Sequence, residues 1–252
     1  MFDFFCVLIP FLMIHIICDF YLQPNQWVEA KKKYTYRSTA LYFHSLLHGV
    51  ALLVPAVALG IDWRSTTCLV AIVAVSHFII DLWKVRARNG DKFSYFIIDQ
   101  VLHVSVLTAI VFHMTDDVTI DAVLQHEKFS NGVMVIFAYL LILKPTSIVI
   151  GSVLRKYPIS GKNTDNTTSG LIAGGELIGY LERLLILTFT LVGSYAAVGF
   201  VLAAKSIFRF GELNKSDDRN MTEYVLIGSL LSVVITTLVG TLMSLGLDVK
   251  IK

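Results

Sequence analysis

Charge and cysteine are both scarce in this chain. Lys, Arg, Asp and Glu make up 16% of its 252 residues, against about 25% in an ordinary soluble domain. The three cysteines, Cys6, Cys18 and Cys68, fall in apolar runs and share no paired spacing. A disulfide framework and a thiolate zinc site are therefore not expected, and core packing is. The chain has no His-Glu-x-x-His protease motif, no phosphate-binding glycine loop and no nucleic-acid-binding pattern, which removes those enzyme and partner classes. Its formal net charge of +2 matters less than where the charges fall.

What is present is apolar. The chain is 55% hydrophobic with a mean hydropathy of +0.69, the composition of an all-α polytopic membrane bundle. Runs long enough to span a hydrocarbon core of roughly 30 Å occur at about 4–22, 40–60, 66–84, 96–114, 131–154, 170–192 and 222–246, with a shorter eighth near 194–208. Seven or eight membrane helices are expected. The first run lacks a basic leader, so it reads as a retained helix rather than a cleaved signal. Lys31, Lys32, Lys33 and Arg37 follow the first run, and Lys84, Arg86, Arg88 and Lys92 follow the third. The loop after the fourth holds Asp116, Asp117, Asp121 and Glu127 with only Lys128. Basic loops face the cytoplasm. An up-and-down bundle with its N-terminus outside follows.

Four pairs of metal-ligand residues stand out against this background: His15 with Asp19, His44 with His48, His77 with Asp81, and Asp99 with His103. Residues four apart share one face of a helix. Five of the seven histidines lie in these pairs. In the expected topology each pair sits near the cytoplasmic end of its helix, so all eight side chains fall at one depth, and convergence between the first four helices is expected. Ionisable groups inside a bilayer are functional by default. The opposing reading is that they are interhelical hydrogen bonds holding a bundle together.

Imidazole and carboxylate suit a divalent metal, zinc first, with iron or manganese as alternatives. Eight ligands exceed one tetrahedral ion. Two ions sharing carboxylates would use them all, whereas one would leave several to orient the rest. Gln23 and Gln100 flank the set and are placed to hydrogen-bond a ligand or a bound water.

These residues carry a resemblance. The patterns His15, Asp19, Phe20, Leu22, Gln23; His44, His48; Ser76, His77, Asp81, Lys84; and Asp99, Gln100, His103 resemble an uncharacterised bacterial inner-membrane family, domain of unknown function 3307, itself similar to predicted membrane-bound metal-dependent hydrolases. The resemblance covers residues 1 to about 110. Gly179 with Leu181, Glu182 and Arg183, the stretch Ala203 to Phe210, and Glu223 to Gly228 resemble the C-terminal part of longer members. The resemblance implies a metal and identifies no substrate.

The chain is expected to divide into a His/Asp bundle at 1–114 and C-terminal membrane helices at 115–252. In the second part Lys144, Glu176, Glu182, Arg183, Lys205 and Arg209 either form a vestibule for an anionic head group or pair among themselves and snorkel. Pro145 frees the Leu141 carbonyl and bends the fifth span, and Lys144 there calls for Glu182 or Glu176 as a partner. Gly170, Gly174, Gly175 and Gly179 carry small-residue spacing that marks close helix packing.

The first expectation of function is a metal-dependent hydrolase at the cytoplasmic face, acting on an ester or phosphoester of a lipid or membrane-associated substrate. A di-iron oxidase or hydroxylase is the second, weakened by the absence of tandem His-His pairs. A metal or proton transporter would spread its ligands across the bilayer. A non-catalytic membrane protein with a structural ion is the fourth. The bilayer is the partner implied, and no nucleic acid is.

Overall fold

The computed structural model describes residues 4–114, 129–155, 167–213 and 219–246, and every regular element among them is a helix. The chain divides into two compact units, Met1–Val133 and Met134–Lys252. The first contains α1 (Phe4–Ile16), α2 (Asn25–Tyr34), α3 (Thr39–Ala51), α4 (Leu53–Ala58), α5 (Trp63–Arg86) and α6 (Phe93–Met114). The boundary falls within α7 (Phe129–Ile142), and the second unit takes the rest of that helix with α8 (Lys144–Leu154), α9 (Thr167–Leu191), α10 (Tyr195–Leu213) and α11 (Arg219–Gly246).

Each long helix of the first unit is polar in one half of its buried face and apolar in the other. In α1 the buried Val7, Leu8 and Phe11 precede His15, whereas in α3 His44 and His48 precede Leu52. In α5 Leu69 and Val73 precede His77 and Asp81, and in α6 Asp99 and His103 precede Leu107 and Val111. Because successive helices run in opposite directions, the apolar halves meet in one cluster, Val7, Leu8, Phe11, Leu52, Leu69, Val73, Leu107 and Val111. The polar halves are then forced to one level beside it.

Local chemistry sets the interruptions. Asp62 caps α5 by accepting from the backbone N–H of Arg64 and Ser65, both at 3.0 Å. Its hydrogen bonds with Ser65 hold that exposed carboxyl below the usual carboxylate range. Pro55 has no N–H to offer Ala51, and the span Thr39–Ala58 breaks at Leu52 between α3 and α4. α1 widens into a π-helical turn, Ile17–Tyr21, closed by Leu22 N–H donating to the Ile17 carbonyl five residues back at 2.9 Å. After Pro24 the chain turns 81° into α2. Residues 29–37, expected as a basic loop, thus form the end of α2 and a 3-10 turn, Thr35–Arg37.

α3 and α5 touch closely. A Cβ added at Gly49 would lie 2.7 Å from the Val70 carbonyl oxygen and 3.0 Å from Ala74 Cβ, so backbone as well as side chain would have to give. Gly49→Val is expected to cost about 1–3 kcal/mol as overpacking and to move the adjacent His48 away from α5. Thermal unfolding and metal content measured on that variant check both effects.

In the second unit α7 and α8 form one span, Asn131–Leu154, broken at Leu143 (φ −80°, ψ −104°). The Leu141 carbonyl that Pro145 frees accepts from the Thr146 hydroxyl at 2.9 Å. Ala138, Ile142, Leu187 and Val239 form the buried core. Two described glycines permit close packing here: at Gly240 a Cβ would lie 2.8 Å from Thr190 Cγ2, and at Gly228 it would lie 3.1 Å from Leu154 Cδ1. Of the glycines expected to mark close packing, Gly175 faces open space and Gly179 meets only Arg183 of its own helix. The surroundings of Gly170 and Gly174 lie outside the described residues.

Among the described residues five helices have the length and composition to cross a membrane, or six when α1 and α2 count as one bent span, as an integral membrane protein requires. This is fewer than seven or eight. The middle of α9 carries Glu176, Glu182 and Arg183, and the apolar part of α10, Tyr195–Ile207, is short. The outward faces are apolar, with Val54, Val75 and Phe112 58–68% exposed. Cys18 is buried as expected, but Cys68 is exposed on this outer face and packs no core. The Cys6 side chain lies outside the described residues.

Candidate metal centre

Asp19 is the hub of the polar level. Its Oδ1 lies 3.0 Å from His44 Nε2, 3.1 Å from His48 Nε2 and 3.7 Å from His77 Nε2. Its Oδ2 accepts from Gln100 Nε2 at 2.9 Å and is 3.6 Å from His15 Nε2. The π-helical turn that carries Asp19 is a feature often found at functional sites. Gln100 also approaches Asp99 Oδ2 (3.3 Å) and His15 Nε2 (3.4 Å), so it ties three of the eight side chains together. Gln23, the other expected flanking amide, makes no hydrogen bond to the set among the described residues.

The remaining members complete a second group. His103 Nε2 lies 3.8 Å from Asp81 Oδ1 and 3.6 Å from Asp99 Oδ1, and His77 Nε2 lies 4.0 Å from Asp81 Oδ2. The imidazoles form a stack, with ring centroids 3.6 Å apart for His48 and His77 and 4.0 Å apart for His77 and His103. His15 and His77 centroids are 5.9 Å apart. All eight paired side chains therefore converge.

Two sets offer ligand atoms lying within 4.8 Å of one another: Asp19, His44, His48 and His77, and His77, Asp81 and His103. A tetrahedral zinc ion with bonds of roughly 2.0–2.1 Å separates its ligand atoms by roughly 3.3 Å. The 3.0, 3.1 and 3.7 Å spacings around Asp19 Oδ1 bracket that edge. Buried polar atoms normally have partners, yet His77 Nε2, His103 Nε2 and Asp99 Oδ1 are buried without a hydrogen bond. Interhelical hydrogen bonding accounts for Asp19 with His44 and His48 and leaves these three atoms unexplained. The donor set fits a divalent ion. Beside it, a cavity of about 10 Å³ lies between His15, His48, His77 and His103 and the apolar Phe11 and Leu107, room for about one water.

Two lysines complete the cluster, and both were assigned by sequence to cytoplasmic loops. Lys31 is buried and pairs with Asp81 Oδ2 at 2.5 Å. Lys84 pairs with Asp99 Oδ2 at 2.7 Å. A signal for Lys31 was available: Trp27, Val28 and Lys31 share one face once Asn25–Tyr34 is helical, and that face is the less exposed one.

The charged residues of the second unit pair in part as one of the two expectations has it. Lys144 is exposed rather than buried. Glu182 pairs with Lys205, and Glu176 accepts from the Tyr180 hydroxyl at 2.7 Å. Arg183 is buried, donating to Ser147 Oγ at 2.7 Å and Ser232 Oγ at 3.3 Å and lying over the Tyr180 ring. The Arg209 side chain lies outside the described residues. Pairing within the unit thus accounts for Glu182 and Lys205.

Residues 7–130 match a protein family described as "Protein of unknown function (DUF3307)". The matched stretch contains all eight paired residues together with Gln100, Lys31 and Lys84. No curated protein and no solved structure matches the chain.

Proposed function

We propose that this protein is a membrane-embedded, metal-dependent hydrolase whose centre lies at the cytoplasmic face of an inner membrane and acts on a lipid or another membrane-associated phosphoester. The observation that carries the reading is the convergence of five imidazoles and three carboxylates around buried ring nitrogens that lack hydrogen-bond partners. A bound divalent ion would polarise the scissile group and lower the pKa of bound water toward about 7. The protein's own part is positioning. Gln100 fixes Asp19 through Oδ2 and leaves Oδ1 facing His44, His48 and His77.

Charge favours a phosphoester over a neutral ester. Lys31 and Lys84 offset Asp81 and Asp99, which leaves Asp19 as the one carboxylate of the cluster without a lysine. A divalent ion then leaves the centre with surplus positive charge in a low-dielectric setting, and an anionic substrate group relieves it. Lys84, its side chain 27% exposed, is the most accessible charge in the cluster and the group best placed to meet that anion. The test is hydrolysis of phospholipid vesicles by purified protein, assayed with its metal and after chelation. Turnover that disappears on chelation and returns with added zinc is expected. A fully metallated protein inert toward phosphoesters would reject the substrate class.

A second reading, a structural ion, rests on one observation: Asp19, His44, His48 and His77 supply four ligands, the number that closes a structural site. Cobalt substitution separates the two. A visible spectrum that shifts on adding phosphate indicates an open position, and an unresponsive one indicates a closed site.

The proposed orientation puts the N-terminus outside and residues 29–37 inside. A Tyr34→Cys variant in a Cys68→Ser background places a thiol at a position that is 53% exposed. It is expected to react with a membrane-impermeant reagent only after cells are opened. Labelling of intact cells would reverse the topology.

A further inference from the structure

We propose that Lys31 stands in place of a second divalent ion and keeps the centre mononuclear. The inference rests on the metal-centre reading above and deepens it. Three buried atoms of the second group, His77 Nε2, His103 Nε2 and Asp99 Oδ1, have no hydrogen-bond partner, and Asp81 Oδ1 lies 3.8 Å from His103 Nε2. These are the makings of a second cation position. His77 belongs to both sets, and its Nε2 can ligate one ion only. Once an ion takes Asp19, His44, His48 and His77, the second position is left with Asp81, Asp99 and His103.

Both of those carboxylates already hold an ammonium group, Lys31 on Asp81 Oδ2 and Lys84 on Asp99 Oδ2. The two lysines are not equivalent. Lys84 reaches in from a partly exposed position, while the Lys31 side chain is only 7% exposed. Lys31 is delivered by α2, the helix that the 81° turn after the π-helical segment folds back beside the cluster. A fixed ammonium supplies one positive charge where a divalent ion would supply two. It satisfies Asp81 without drawing His77 or His103 into coordination. The deep turn at Pro24 and the burial of Lys31 acquire a purpose together: they place a permanent cation in the second half of a site otherwise built for two.

The experiment compares wild type, Lys31→Met and Lys31→Arg, each purified in lipid and titrated with zinc for stoichiometry and with manganese for electron paramagnetic resonance. Wild type and Lys31→Arg are expected to bind about one ion per chain with an isolated-ion manganese signal. Lys31→Met removes the charge and keeps the apolar stem. It is expected to bind about two ions, with an exchange-coupled manganese pair, and its thermal midpoint should rise with added metal more than that of wild type. Two ions in wild type would overturn the proposal and leave the metal-centre reading standing. One ion in a folded Lys31→Met protein would do the same. If Lys31→Met does not fold, the wild-type stoichiometry and manganese signal still decide. No metal in wild type would remove both proposals at once.

Discussion

Asp19→Asn is expected to empty the centre of metal while leaving the helices in place. Asp19 Oδ1 is the oxygen that faces three imidazole nitrogens, within 3.0–3.7 Å, and Asp19 is the carboxylate of the cluster that no lysine offsets. The asparagine keeps the size and one acceptor oxygen, enough for Gln100 on one side or His44 and His48 on the other but not for both. The charge that holds a divalent ion is gone. Loss of affinity should exceed the roughly 10–100-fold that follows removal of a group which only orients a ligand. Gln100→Ala is the internal reference, because it should fall within that range. Asp81→Asn should behave in the opposite way. It leaves the Lys31 ammonium buried without its carboxylate, a change of the kind that costs about 3–5 kcal/mol, and stability rather than metal should suffer most. Metal affinity and thermal unfolding on the three variants separate the roles. Equal metal binding by wild type and Asp19→Asn would remove Asp19 from the ligand set.

His48→Ala and His77→Ala should each strip the metal and leave a folded, inserted protein. Packing of the apolar halves, with Phe11, Leu52, Leu69, Leu107 and Val111 buried together, supplies the cohesion of the bundle and is untouched by either change. Were these imidazoles only interhelical hydrogen-bond partners, each loss would cost about 0.6–2 kcal/mol and leave metal content unchanged. The second outcome suits His48 better than His77, because His48 has a direct bond to Asp19 at 3.1 Å and His77 Nε2 has none. His77 is therefore the sharper test. A lowered melting temperature with unchanged metal in His77→Ala would end the hydrolase proposal.

The site was legible because it is periodic. Pairs four apart mark a helix face, and alternating loop charge sets helix direction, so the sequence alone brings the eight side chains to one level. Gln100 was legible for the same reason, standing next to Asp99 on the helix that carries His103. What escaped was non-periodic. The π-helical turn at Ile17–Tyr21 leaves the composition of α1 unchanged, and the fold-back of α2 depends on Pro24 and on what α2 meets. A basic segment reads as a loop until its apolar face finds a neighbour, so in the sequence Lys31 and Lys84 read as topology markers, although they also neutralise Asp81 and Asp99. In the second unit Lys144 was expected to be buried because it adjoins Pro145 in an apolar run, but the break at Leu143 turns it outward, and Glu182 takes Lys205 instead. Clustered glycines suggest close packing at 170–179, yet among the described residues it is Gly49, Gly228 and Gly240, isolated in the sequence, that a neighbouring helix approaches.

X-ray absorption at the metal edge, recorded on protein purified from membranes of cells supplied with zinc, bears most directly on the central claim. The account predicts a first shell of nitrogen and oxygen at about 2.0–2.1 Å, with imidazole outer-shell scattering and no sulfur at about 2.3 Å. A sulfur shell at that longer distance would contradict it, since neither the buried Cys18 nor the outward-facing Cys68 belongs to the His/Asp cluster.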